Sequence, residues 1–116
     1  MVDPLVKKLI SQAKEPEETQ SVMLQWTDLP DASLFENVLS KRERQLRMDG
    51  FYRALKESTF QRLRNEAQVE IRDMPASGSA ILTAPASTLE KLVCDGGKLD
   101  REEKLQVLPN VMFDAI

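Results

Sequence analysis

The chain contains no histidine and a single cysteine, Cys94. Each absence removes chemistry. Without histidine there is no Ser-His-Asp or Cys-His arrangement, no HExxH helix, no Cys₂His₂ zinc site and no facial triad. One cysteine allows no intrachain disulfide and no multi-cysteine metal site. Small secreted domains usually carry paired cysteines, so a reducing, cytoplasmic setting is the expectation. Aromatic residues are also few, at 5%. Long apolar runs are missing. The longest uncharged stretch, Met74 to Leu89, is broken by Pro75, Gly78 and Pro85, so no membrane span is expected. Lys7 and Lys8 lie inside the first apolar stretch rather than ahead of it, unlike a secretory signal.

What remains is 116 residues, 41% hydrophobic and 30% charged, at a net charge of −3. That suits one domain over residues 1–116 with a thin core. The core is closed alone or against a second copy, so a homodimer is one expectation.

The fold expectation is mainly α: a small helical domain with several short helices, and one β-hairpin near 68–84 left open. Asp3-Pro4 is a helix start, with Asp as cap and Pro in the first turn. Leu5, Val6, Leu9, Ile10 and Ala13 then share a face, which predicts a helix from Pro4 to about Lys14. The stretch Ser21–Trp26 fits a strand or a helix equally. Leu29-Pro30-Asp31 marks a boundary, with Asp31 expected to cap a long helical region carrying Leu34, Phe35, Val38, Leu39 and Leu46. Asp49-Gly50 is expected to divide that region into two helices, with one kinked helix as the alternative. Val69 and Ile71 alternate with Glu70 and Arg72, and Ala80–Thr83 is β-prone. A hairpin of Gln68–Arg72 with Ser79–Ala84 follows from that pattern, with Ser21–Trp26 as a possible third strand. Ser87-Thr88-Leu89-Glu90 reads as a capping box, and Asp100-Arg101-Glu102-Glu103 as a second one, opening a helix with Leu105 and Leu108. Val111, Met112, Phe113 and Ile116 are too apolar for a free tail and are expected to dock on this chain or on a second copy.

The net charge hides a segregated pattern. Residues 41–64 hold eight basic and three acidic side chains, or +5. Residues 1–40 and 65–116 each come to −4. Six of the eight basics are arginines: Arg42, Arg44, Arg47, Arg53, Arg62 and Arg64. Planar guanidinium forks suit carboxylate and phosphate. Phe51, Tyr52 and Phe60 are interleaved among them and read better as core than as a stacking platform. Local pairing, as of Glu43 with Arg47, would make the same segment an ordinary solvated helix face.

Other motifs fail on inspection. Asp95-Gly96-Gly97-Lys98 lacks the glycine and the hydroxyl residue a phosphate loop needs, since Leu92 and Leu99 stand there. It reads as a helix end and a tight connection. Ser77-Gly78-Ser79 is not a nucleophile elbow, and no histidine could serve as its base. Cys94 is expected to be a buried structural residue.

No catalytic residue, metal ligand or cofactor is assigned. The functional expectation is a non-enzymatic interaction module: an adaptor, assembly factor, chaperone-like subunit or inhibitor. The six arginines are the candidates for meeting an acidic protein partner. Trp26, Phe113 and Ile116 are the candidates for self-association. Nucleic-acid binding through residues 41–64 is the alternative, and a pI near 5.0 weighs against it.

Overall fold

The alternation of Val22, Leu24 and Trp26 resolves as a strand. In the computed structural model, which describes residues 1–66, 68–75, 77–94 and 96–110, β1 (Thr19–Trp26) buries those three side chains on one side. β3 (Ser79–Pro85) and β4 (Leu105–Pro109) flank it, and β2 (Glu70–Met74) lies outside β3. The sheet order is β2-β3-β1-β4, antiparallel throughout. Val22 faces Leu82 and Leu24 faces Ala80, while Trp26 faces Leu105 on the other side. The β2–β3 pairing is the hairpin left open above, set into a larger sheet. The expectation of a mainly helical domain is overturned: the fold is α+β, and the described residues form three α-helices beside this four-stranded sheet.

The three helices join one core with the inner face of the sheet. α1 (Pro4–Ser11) contributes Val6 and Ile10, and α3 (Ala86–Val93) contributes Leu89, Leu92 and Val93. α2 (Lys41–Arg64) contributes Phe60 and Leu63. Asp3 caps α1 as expected, its carboxylate accepting from the Leu5 amide at 2.8 Å. The opposite face of the sheet carries Ser21, Met23, Ile81, Thr83 and Leu108 half-buried, with Glu70, Arg72, Gln25 and Gln106 exposed. Among the described residues no helix is long and apolar enough to cross a membrane.

Four local expectations are corrected. The helix expected after Asp100 is absent, and Leu105 and Val107 alternate with Gln106 as β4. The spacing of Leu105 and Leu108 suggested a helix turn. Pairing with β1, more than seventy residues away, decides otherwise. The start of α3 differs too. Its first-turn amides are met by the carbonyls of Glu18 and Pro16, and no side chain caps it, so the Ser87 box is not used. Asp31 caps only a short 3₁₀ turn, Ala32–Phe35, and Asn37 then takes φ 59°. α2 begins instead at Lys41, where the Ser40 hydroxyl accepts from the Glu43 amide at 3.2 Å. Cys94 is exposed rather than buried.

Gly50 does not divide α2. The helix runs unbroken for 24 residues, about 36 Å. The pairs Glu43–Arg47 and Asp49–Arg53 link successive turns around it. A Cβ added at Gly50 would meet nothing within 4 Å. Glycine in an exposed helix interior costs about 1 kcal/mol relative to alanine. Gly50→Ala is therefore expected to stabilise the domain by about that amount. A thermal melt checks this, with a rise of about 4 °C expected.

Candidate functional site

α2 has two unlike halves. From Tyr52 onward it buries Tyr52, Lys56, Thr59, Phe60 and Leu63, spaced at three and four residues along one face. Before Tyr52 it buries no side chain. That first half packs against the 3₁₀ turn. Arg47 donates from Nη1 to the carbonyls of Leu34 (3.0 Å) and Glu36 (2.7 Å), and from Nη2 to Glu43 (2.8 Å). Arg44 stacks over the Phe35 ring at 4.9 Å. Continued toward the N-terminus by the same steps, the face that is buried lower down presents Met48, half-buried, with Asp49, Gln45, Lys41 and Arg42. Apart from Met48 it is polar, so it does not call for a broad apolar cover.

The six candidate arginines do not form one surface. At about 100° per residue, Arg42, Arg53 and Arg64 fall on one flank, and Arg44, Arg47 and Arg62 on another. Most are engaged within the chain. Arg53 pairs with Asp49 at 2.7 Å, Arg62 with Glu102, and Arg64 lies 6.0 Å from the Phe60 ring. Lys41 and Arg42 are exposed, and their side chains make no hydrogen bond, ion pair or ring contact among the described residues. The same half carries two exposed apolar side chains: Leu39, 92% exposed, just before the cap, and Leu46, 64% exposed, one turn beyond Arg42. Arg42, Leu46, Asp49 and Arg53 follow at helical spacing, one stripe along the helix.

Trp26, a candidate for self-association, is 5% exposed and packs edge-on against Phe60 at 5.8 Å. It anchors the core and offers little to a second copy. Phe113 and Ile116 lie outside the described residues.

The sequence reading passed over Lys56. It counted there as one of eight basics, yet its side chain is 1% exposed. Its ammonium donates to Asp73 Oδ1 (2.7 Å), the Ser79 carbonyl (2.8 Å) and the Met74 carbonyl (3.2 Å), and lies 5.9 Å from the Trp26 ring. All three donors are satisfied, so Lys56 ties α2 to the β2–β3 turn. The signal was its spacing, four residues from Tyr52 and four from Phe60.

Among the described residues no group of three or more His, Cys, Asp or Glu side chains is placed to hold a metal ion. Comparison with protein-family models, with curated proteins and with solved structures gives no match.

Proposed function

We propose that this chain is a non-enzymatic protein-interaction module that binds an acidic, amphipathic partner segment through the first half of α2. The observation that supports this reading is the projecting half-helix, where unpaired Arg42 shares a stripe with exposed Leu46, and unpaired Lys41 and exposed Leu39 stand at its start. A cation and a leucine on one stripe, with a second cation and leucine at the helix start, match a partner that alternates carboxylates with apolar side chains. Arg44 and Arg47 support the surface from behind, by holding the 3₁₀ turn against the helix. The acidic ends of the chain favour a polypeptide partner over nucleic acid, since they oppose the approach of a long polyanion.

The test uses designed helical peptides with Glu and Leu at helix spacing, and the same peptides with Lys replacing Glu. Calorimetric titration is expected to show binding of the acidic series only. K41E together with R42E is expected to weaken it about tenfold. Duplex DNA of similar length is the comparison. Binding of DNA in preference to the acidic peptides, or binding indifferent to K41E/R42E, would contradict the proposal.

A further inference from the structure

The two edges of the sheet are treated differently. The β4 edge is closed by the N-terminal residues: the Asp3 amide donates to the Val107 carbonyl, the Val107 amide to the Met1 carbonyl, and the Met1 amino group to the Leu105 carbonyl. Among the described residues the β2 edge has no strand beside it. An open edge is a ready template for another strand.

The hydrogen-bond phase of that edge can be worked out. The Trp26 amide donates to the Gly78 carbonyl at 2.7 Å. Gly78, Ala80 and Leu82 therefore turn their backbone groups toward β1, and Ser79, Ile81 and Thr83 turn theirs toward β2. Across the register, Met74, Arg72 and Glu70 face β3. Ile71 and Asp73 are left with amide and carbonyl directed outward, and these make no hydrogen bond among the described residues. The same alternation directs Leu105 and Val107 outward on β4, where the N-terminal residues meet them. Gln68, at φ 65°, and Pro75 bound the usable edge.

We infer that a second copy of this chain pairs antiparallel along the β2 edge, in the register that sets Ile71 opposite the second copy's Ile71. In that register the outward-facing groups of Ile71 pair with their own equivalents. Val69 meets the second copy's Asp73. Glu70 stands opposite the second copy's Arg72, and Arg72 opposite its Glu70, on the open face of the sheet. Neither Glu70 nor Arg72 has an ion pair among the described residues, and both are exposed. The symmetry thus supplies two cross-strand ion pairs and one isoleucine pair. Shifting the two-fold axis to Arg72 would set arginine against arginine. The product is an eight-stranded antiparallel sheet with both open faces on one side. A contact of five residues per chain falls at the low end of interface sizes, below about 1,200 Å², so the dimer is weak and concentration-dependent.

Sedimentation equilibrium tests this on the full chain, up to about 1 mM. The mass is expected to rise from 13.2 kDa toward twice that value with concentration. E70R alone and R72E alone set like charges opposite each other, and each is expected to stay monomeric. An equimolar mixture of the two restores both ion pairs, and dimer is expected to return. Both positions are exposed on an edge strand, and a circular dichroism spectrum confirms that each variant is folded. A wild-type chain monomeric throughout, single variants that dimerise like wild type, or a mixture without recovery would each overturn the inference.

Discussion

Asp73→Ala is expected to cost about 3 kcal/mol, and adding Lys56→Met to return more than half of it. The two partners are unequal. Lys56 is 1% exposed and Asp73 is 38% exposed. Removing the aspartate leaves an ammonium group sealed among Trp26 and two carbonyls, with no countercharge and little water. Removing the lysine leaves a carboxylate that water already reaches. The Met74 carbonyl keeps the Ser77 hydroxyl at 2.7 Å, so it is not orphaned. Methionine fills the volume of the lysine stem without a charge. Lys56→Met alone is therefore expected to cost about 1 kcal/mol, mainly through the Ser79 carbonyl. Urea unfolding of the four chains checks this. An Asp73→Ala variant as stable as wild type, or a double variant no more stable than Asp73→Ala, would contradict it.

Gly97→Ala is expected to destabilise by a comparable amount, about 3 kcal/mol. A Cβ at Gly97 would lie 2.6 Å from the carbonyl oxygens of both Lys91 and Leu92. These are backbone atoms at the end of α3, so no side-chain rotation relieves the clash. The connection itself must move, although it is pinned by the Gly97 amide on the Cys94 carbonyl and the Leu99 amide on the Leu92 carbonyl. Leu99, 1% exposed, is carried out of the core with it. Gly96 is the control. Its φ is +80°, but a Cβ there approaches only the Arg101 side chain at 3.9 Å. Gly96→Ala is expected to cost about 1–2 kcal/mol, and Gly96→Asn less. Thermal melts rank the three. Equal losses for Gly96→Ala and Gly97→Ala would show that the close approach of the backbone is not the reason for the second glycine.

The parts of the fold written in local signals were legible. Asp3-Pro4 announced α1, and the alternation around Ile71 and Ile81 suggested the hairpin. The rest depended on distant partners. β1 carried strand and helix periods together until pairing with Leu82 and Val107 decided between them. β4 sat behind a capping-box pattern, yet the Asp100 carboxylate accepts from the Gly96 amide at 3.0 Å instead of capping a helix start. Gly50 looked like a break because glycine costs about 1 kcal/mol in a helix, but the pairs Glu43–Arg47 and Asp49–Arg53 offset part of that, and the buried second half of the helix the rest. The charge segregation of residues 41–64 was visible as a count. Its division between flanks, and the internal engagement of Arg47, Arg53 and Arg62, follow from helix phase and from neighbours remote in sequence. Lys56 shows the same limit: composition marks a cation, and only the fold shows it buried.

The proposed function rests on the first half of α2 as the binding surface. Amide chemical-shift mapping tests it most directly, with isotope-labelled protein titrated with the acidic helical peptide. Saturable shifts are expected at Leu39 and along Lys41–Arg53, absent with the Lys-substituted peptide and lost in K41E/R42E. Shifts confined to the open sheet face around Ile81 and Leu108, or none at all, would contradict it.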